Sequence, residues 1–200
     1  MLERAGWLVS MRTGRCCVGS IRAYRIGAVP KAIWAPFVTG VLMLLAGGLG
    51  LAFAQPWLFP SLATTASLQA ELPELPAARF YNTIAGHAIA LGAGFLAVGV
   101  LHADAAPIVL SAHVLTGVRV WATALGLALT TLGVILARAA NPAAGATALL
   151  VTLGAFHTTH DALTLVIGVS IVAIGGEALR RLRVAGLRQA RAGQEQAQQG

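Results

Sequence analysis

Residues 80–101 read FYNTIAGHAIALGAGFLAVGVL, a stretch of 22 residues that contains no Asp, Glu, Lys or Arg. As an α-helix it would rise about 33 Å at 1.5 Å per residue, enough to cross a bilayer core about 30 Å thick. Arg79 and His102 bound the stretch on its two sides. The stretch therefore predicts one membrane-spanning helix.

Three further stretches meet the same test of length and apolarity. They are Ala32–Ala54, Val120–Ala137, and a run that begins near Ala162 and ends at Glu177. Glu177 can form an ion pair with an arginine one turn later. Only 10% of the chain is charged and 57% is hydrophobic, whereas soluble domains carry about 25% charged residues. The sequence predicts an all-α, polytopic transmembrane helical bundle in one domain, residues 32–183.

Basic residues concentrate at the two ends of the chain. Six of the 14 Lys and Arg residues lie in residues 1–31, and five lie in residues 180–191. Because flanks rich in Lys and Arg stay in the cytoplasm, both termini are predicted inside, with an even number of crossings. The expected location is the inner membrane of a bacterial cell. No aromatic or zinc motif accompanies the basic flanks, so nucleic acid is not an expected partner.

The polar ends of the chain are predicted to be peripheral. Residues 1–31 form a basic cytoplasmic segment in which Met11 is an alternative start, and residues 184–200 are predicted to be disordered. Cys16 and Cys17 are adjacent and have no His or Cys partners nearby, which predicts inert thiols or palmitoylation, and no disulfide framework or metal site.

Two apolar segments are too short to cross a membrane comfortably. Residues 56–70 read PWLFPSLATTASLQA and residues 142–156 read PAAGATALLVTLGAF. Short segments interrupted by Pro and Gly are tolerated at membrane depth only where protein or a water-filled cavity surrounds them. If they are re-entrant, the chain has four crossings and parallel halves. If they cross, it has six crossings and inverted halves.

The short segments also resemble each other, which predicts an internal repeat. Aligning Pro60 with Pro142 matches three residue pairs, and the helices that follow match at three more: Thr65/Thr147, Ala66/Ala148, Leu68/Leu150, Gly86/Gly168, Ile89/Ile171 and Gly94/Gly176. The predicted unit is a long helix, a short helix and a long helix, used twice. Paired short segments in corresponding halves are the best sequence indication of a transporter's binding site.

Asn141 and Pro142 predict the start of a helix. Asn is a favoured N-cap and Pro is favoured at the first helical position. A helix that begins inside a membrane would direct free amides at a cavity and attract an anion. Phe59 and Pro60 predict a similar start for the other short helix, with hydroxyl donors from Ser61, Thr64 and Thr65. The expectation is that both helix starts face one shared polar space.

Several motifs, in order, are similar to those of the HPP family of integral membrane proteins. The family's small-residue run A-G-A-T-A-L stands at Ala144–Leu149, and its His-Pro-Pro tripeptide is replaced by Asn-Pro-Ala at residues 141–143. Its F-P-S-L-G-P-T-A motif resembles Phe59–Ala66, and its R-N-x-x-x-G-H helix start resembles Tyr81–His87. The ending Gly176–Leu182 is also familiar from this family. Together these motifs extend from Pro56 to about Arg183.

This resemblance implies a multi-helix membrane fold and a transport role, since some plastid relatives are described as nitrite transporters. His87 and Asn82, about one helical turn apart, share a face of the span, where His87 could coordinate an anion or relay a proton. Arg119 and Arg138 are expected to be interface anchors. The candidate substrate-binding or pathway residues are Ser61, Thr64, Thr65, Asn82, His87, Asn141, Pro142, Gly145 and Thr147.

The leading functional prediction is passive or proton-coupled movement of a small anion such as nitrite. The alternatives are a neutral-solute or water channel, and a non-transporting scaffold or sensor subunit. No paired carboxylates or nucleophile–base set lies in the spans, so an enzyme is not expected. No cofactor or metal is predicted; His157, His160 and Asp161 favour a helix-capping loop over a metal site. The expected partners are the lipid bilayer, the small solute and a second copy of the chain. Close packing at Gly92-Ala93-Gly94 would suit helix contacts either within a monomer or between two copies.

Overall fold

The computed structural model describes residues 30–156 and 158–199, and within them every regular element is helical. The fold therefore confirms the predicted all-α class. Short 3-10 turns cover Pro76–Ala78 and Ala103–Ala105. The α-helices are α1 Lys31–Ala52, α2 Pro60–Glu71, α3 Phe80–Val100, α4 Val109–Ala112, α5 Gly117–Leu136, α6 Ala143–Thr152 and α7 Thr159–Gln199.

Four helices are long and apolar enough to cross a membrane, as predicted. They are α1, α3, α5 and the part of α7 from His160 to Arg188, with mean hydropathies between 1.6 and 2.0. Large apolar side chains cover their outer faces, for example Leu51, which is 87% exposed, and Leu44, which is 77% exposed. Such a surface suits lipid and not water. The protein is a multi-pass membrane protein.

Helices α1 and α7 run in opposite directions along the bundle. At one end, the Arg183 guanidinium lies 5.0 Å from the centre of the Trp34 ring. At the other end, the Thr164 hydroxyl lies 3.4 Å from the Gln55 side-chain oxygen. We call the end that carries Lys31 and Arg183 the basic end, and the end that carries Gln55 and Thr164 the opposite end.

The short helix α2 returns from the opposite end to the basic end. Just before it, the Phe59 ring packs edge-on against Phe156 with centroids 4.8 Å apart. Near its last turn, Gln69 Nε2 lies 3.5 Å from the Ala78 carbonyl oxygen and its amide contacts Gly176 of α7. Helix α3 then begins at the basic end and crosses again.

The second half repeats these three passes in the reverse sense. Helix α5 runs antiparallel to α3, because its C-terminal carbonyl at Ala137 accepts a hydrogen bond of 3.3 Å from Tyr81, at the start of α3. Helix α6 runs parallel to α3, since Ala144 lies against Gly86 and Val151 lies against Gly94. The chain thus passes between the two ends six times, which favours the alternative with inverted halves.

The contacts between helices follow the same two-fold pattern. Each short helix packs on the first long helix of its own half and on the last long helix of the other half. Gly168 lies against Leu62 as Gly86 lies against Ala144, in agreement with the sequence alignment of the halves. Both first long helices also end alike, at residues with φ of 51°, Ala54 and Arg138. The halves are therefore interlocked, because each short helix is covered by both of them.

The C-terminal segment differs from the sequence-based expectation. Residues 184–200 were expected to be disordered, whereas α7 continues without a break to Gln199. This stretch is rich in Ala, Arg and Gln, which are good helix formers. Extending an existing helix also avoids the cost of nucleating a new one.

The contact between α3 and α6 leads to a stability prediction. A Cβ at Gly94 would lie 2.9 Å from Val151 Cβ, whereas one at Gly92 would meet nothing within 4 Å. We expect Gly94→Ala to lower the unfolding free energy by about 1–3 kcal/mol through overpacking. Gly92→Ala should raise it by up to about 1 kcal/mol through helix propensity. Thermal unfolding in detergent measures both, and equal shifts in the two variants would show that this contact is not tight.

Candidate functional site

A buried histidine connects the two short helices at the centre of the bundle. His87 of α3 places Nε2 2.8 Å from the Thr65 hydroxyl and Nδ1 2.6 Å from the Thr147 hydroxyl. Thr65 on α2 and Thr147 on α6 are equivalent residues of the repeat. The three side chains are at most 2% exposed. We call them the Thr–His–Thr layer, and it joins both halves of the protein.

The proton positions in this layer follow from the contacts of Thr65. Its hydroxyl lies 2.8 Å from the Ser61 carbonyl oxygen, so its single proton is donated there. The Thr65 oxygen then accepts from Nε2–H of His87, and Nδ1 accepts from the hydroxyl of Thr147. A neutral imidazole thus has both nitrogens satisfied. A protonated ring would require Thr147 to change from donor to acceptor.

A cavity lies on the opposite-end side of the layer. It has a volume of about 480 Å³, and Phe95, Val151 and Phe156 contribute to its wall. Arg119 and Asp104 provide charged groups in its lining. Because Val151 lies one helical turn beyond Thr147, the cavity ends close to the Thr–His–Thr layer.

A groove of about 420 Å³ lies between α2 and α6 on the basic-end side of the layer. Thr64, Ser67 and Glu71 line it from α2, and Ala143 and Ala146 line it from α6. Ala146 is adjacent in sequence to Thr147. No residue of the Thr–His–Thr layer lines this groove or the opposite cavity.

Asn141 caps α6 as predicted, but the amides of the first turn are not free. Its Oδ1 accepts a hydrogen bond of 2.9 Å from the Ala143 amide. The Ala144 and Gly145 amides donate to the carbonyls of Asn141 and Pro142 at 3.1 and 3.2 Å. The expectation of free amides directed at a cavity is therefore wrong for these residues. A different donor is left, since Nδ2 of Asn141 is buried without a hydrogen-bond partner in the described part of the chain.

The hydroxyl residues of α2 have three different environments. Pro60 is the first helical residue, as predicted. Ser61 Oγ is buried and has no hydrogen-bond partner among the described residues. Thr64 bonds to the carbonyls of its own helix, at 3.2 Å to Pro60 and 2.9 Å to Ser61, and lines the basic-end groove. Among the described residues of this group, only the Thr65 hydroxyl contacts another helix, at His87 of α3.

The two helix starts do not face a shared space, which corrects the sequence-based expectation. Helix α2 begins beside Phe59 and Phe156, towards the opposite end. Helix α6 begins beside Gly86, towards the basic end. The inverted repeat explains the difference, because equivalent helices run in opposite directions. The helices meet instead at their middles, through His87.

The other predicted residues lie around the start of α6. Asn82 is buried, and its Nδ2 lies 3.4 Å from the Ala140 carbonyl oxygen, so it holds the segment that leads into the helix. Pro142 lines the basic-end groove. Gly145 faces Leu127 of α5 and has a packing role, since a Cβ there would lie 3.7 Å from that side chain. Of the nine candidate site residues, three are in direct contact, because Thr65 and Thr147 both form a hydrogen bond with His87.

Arg119 has a role that sequence reasoning missed. It was expected to be an interface anchor, yet it is only 3% exposed. Its guanidinium donates to the carbonyl of Thr152 at 3.0 Å, of Ala106 at 2.9 Å and of Pro107 at 3.3 Å. It thereby binds the C-terminal end of α6 to the loop between α3 and α4. A cation at a helix C-terminus is favourable because it offsets the negative end of the helix dipole. The sequence holds no signal for these partners, because they are carbonyls.

The segment before α7 forms a helix cap. The Thr158 amide donates to Asp161 Oδ2 at 3.0 Å, and the Asp161 amide donates to the Thr158 hydroxyl at 3.1 Å. This reciprocal arrangement is a capping box, in agreement with the capping loop predicted for residues 157–161. His157, Cys16 and Cys17 lie outside the described residues.

Comparison with known proteins gives one match. The model of a family described as "HPP, transmembrane region" matches residues 25–184, well over half of the chain. No curated protein and no solved structure matches the chain.

Proposed function

This chain belongs to the HPP transmembrane family, and we propose that it moves a small solute across the membrane, with a small anion such as nitrite as that solute. The observation that carries the proposal is the Thr–His–Thr layer. It contains a buried polar contact between the two inverted halves, with a cavity on its opposite-end side and a groove on its basic-end side. Transporters with inverted repeats place their substrate sites at such an interface.

The layer supports a mechanism of alternating access. His87 and Thr65 belong to the first half and Thr147 to the second, so rocking one half against the other would break the His87–Thr147 hydrogen bond and open the layer. A single such bond contributes about 1 kcal/mol net, so the movement would be easily reversible. The His87–Thr65 bond would stay intact within the first half, and the direction of the rocking would decide which cavity is opened. The solute would then be exposed to one side at a time.

The chemistry of the opened layer suits a small anion. Nε2–H of His87 and the hydroxyl of Thr147 are hydrogen-bond donors, whereas the Thr65 proton is already donated to the Ser61 carbonyl. Asn141 lies just before α6, more than one turn ahead of Thr147. Its Nδ2 is a buried donor without a hydrogen-bond partner in the described residues. Hydrogen bonds to a charged acceptor are stronger than those between neutral groups. The imidazole could also take up a proton with the anion, which would couple its movement to a proton gradient.

The charge distribution supports an orientation for this pathway. Lys31, Arg79, Arg180 and Arg181 lie at the basic end of the bundle. By the positive-inside rule this end faces the cytoplasm of a bacterial cell, and the cavity beside Arg119 faces outwards. An anion that enters from outside would first meet the cavity with the arginine.

Uptake of nitrite by proteoliposomes tests the proposal, with Thr147→Val as the variant. Valine keeps the shape of threonine but leaves Nδ1 of His87 without its donor, which costs about 1–3 kcal/mol. We expect nitrite uptake to fall about tenfold. The control is Thr131→Val, because Thr131 is exposed on α5 and its hydroxyl bonds only to the Leu127 carbonyl, at 2.9 Å. Equal uptake by the two variants would contradict a role for the layer.

A neutral-solute or water channel is the alternative within transport. Asn-Pro-Ala also opens the half-helices of water channels, but the two short helices here begin towards opposite ends. Passive anion flux should respond to a membrane potential imposed on the liposomes, whereas water flux should not. Water permeability that is unchanged by potential, without nitrite uptake, would support this alternative.

A non-transporting scaffold or sensor subunit is the alternative from another class. It is favoured by the fact that the Thr–His–Thr layer is buried and fully hydrogen-bonded as it stands. A scaffold would keep its physiological role after replacement of Asn141, Thr147 and His87 together. A transporter would lose its role in the same triple variant.

A further inference from the structure

Four arginines surround a pocket at the basic end of the bundle. The pocket has a volume of about 510 Å³ and lies between the start of α3 and the last apolar turns of α7. Val184 and Ala185 complete its wall. We call it the arginine pocket, after Arg79, Arg180, Arg181 and Arg188.

One carboxylate partly offsets this positive charge. Glu177 Oε2 lies 2.7 Å from Arg180 Nε, and its Oε1 lies 2.8 Å from Arg180 Nη2 and 2.7 Å from Arg181 Nε. Both oxygens are thus in use. The guanidinium groups of Arg79 and Arg188 form no hydrogen bond or ion pair with the side chains and carbonyls that the structure describes. The guanidinium groups of the pocket therefore outnumber the carboxylate that contacts them.

Arg180 is held in place before any ligand binds. Besides its two bonds to Glu177, its Nη1 donates to the Pro73 carbonyl at 3.1 Å, which links α7 to the segment between α2 and α3. Its side chain is only 16% exposed. A fixed guanidinium loses little entropy when it binds an anion, and its planar fork matches two oxygens of a phosphate.

The pocket lies at the depth where lipid headgroups lie. Arg79 immediately precedes the apolar helix α3, and Arg180 follows the apolar part of α7. Basic pockets between helices on the cytoplasmic side are suited to phosphate headgroups. We propose that the arginine pocket binds a phosphate group, and its depth assigns the headgroup of an anionic phospholipid as the source. This inference is independent of the transport proposal, because it concerns neither the Thr–His–Thr layer nor its cavities.

Native mass spectrometry of the protein in mixed micelles of phosphatidylglycerol and phosphatidylcholine tests this site. The variant is Arg79→Gln combined with Arg188→Gln, which leaves the Glu177 ion pairs intact. An arginine near an anionic headgroup contributes about fivefold in affinity, so the double variant should bind phosphatidylglycerol about 30-fold more weakly. Arg138→Gln is the matched control, since Arg138 is exposed at the same end of the bundle and does not line the pocket. It should bind like the wild type.

A second arm distinguishes the two sources of phosphate. The wild type in phosphatidylcholine nanodiscs is titrated with inorganic phosphate and with ATP, and heat of binding is measured. Binding of ATP that the double variant loses would support the phosphate site but replace the lipid with a soluble ligand. The proposal is overturned if phosphatidylglycerol and phosphatidylcholine bind equally and ATP does not bind. It is also overturned if the double variant and Arg138→Gln bind alike.

Discussion

Replacing His87 with leucine is expected to reduce nitrite uptake by proteoliposomes about 100-fold, the largest loss of transport among single substitutions. Leucine fills similar space but removes both polar contacts of the ring, to Thr65 at 2.8 Å and to Thr147 at 2.6 Å. Hydrogen bonds to a charged solute contribute about 1.5–3 kcal/mol each, so two lost donors or acceptors account for this factor. The measurement is initial uptake rate at equal protein density.

Two further variants separate transport from folding. His87→Gln restores one donor and one acceptor and should recover part of the uptake, whereas leucine should not. His160→Leu is the matched control, because His160 is exposed in the first turn of α7. If uptake is proton-coupled, its dependence on external pH should disappear in His87→Gln. Wild-type uptake by His87→Leu would contradict the proposed role of the layer.

Arg119→Leu is expected to cause the largest loss of stability, about 3–5 kcal/mol. The guanidinium donates to three carbonyls, of Thr152, Ala106 and Pro107. Leaving buried carbonyls without donors costs about 1–3 kcal/mol each, and some of them will find water at the nearby cavity. The midpoint of thermal unfolding in detergent measures the effect.

Lysine at position 119 gives an informative comparison. Its single ammonium cannot reproduce the planar fork, so Arg119→Lys should recover only part of the lost stability. Arg138→Leu is the control, since Arg138 is exposed and has no such partners. Gly154, whose φ is 86°, also contacts the Arg119 guanidinium, so the loop is shaped around this side chain. Similar unfolding midpoints for Arg119→Leu and Arg138→Leu would contradict a structural role for Arg119.

Arg119 and the arginines of the pocket lie in two different environments. Arg119 bonds to backbone carbonyls inside the bundle and leaves little capacity for a solute. The guanidinium groups of Arg79 and Arg188 instead line the pocket at the basic end, without a hydrogen bond to the side chains and carbonyls that the structure describes. The sequence presents all of them alike, as basic residues next to apolar runs.

Local features of the chain were predictable from the sequence. Helix length and apolarity predicted α1, α3, α5 and the membrane-spanning part of α7, since 20 apolar residues suffice to span a bilayer. Asn141 caps α6, and Glu177 pairs with Arg180 and Arg181 within one turn, as the spacing indicated. The cap and the ion pairs depend on residues at most four positions apart, so they are the same in any fold that contains the helix.

The sequence also revealed the paired short segments, but not whether they cross the membrane. Their matches with each other, such as Thr65 with Thr147, predicted a unit used twice. Whether they return or cross depends on the direction of each helix, and basic flanks are compatible with both arrangements. The directions of α2 and α6, given by the residues that contact each of their ends, favour six passes.

The sequence by itself therefore determined the membrane class, the long helices, their caps and the presence of paired short helices. The tertiary structure alone decided that Thr65 and Thr147 meet on one histidine, that the short helices begin towards opposite ends, and that Arg119 is buried. The physical reason is distance along the chain. Hydropathy and capping act within a turn or a helix, whereas these contacts join residues 12 to 60 positions apart and arise only when helices pack.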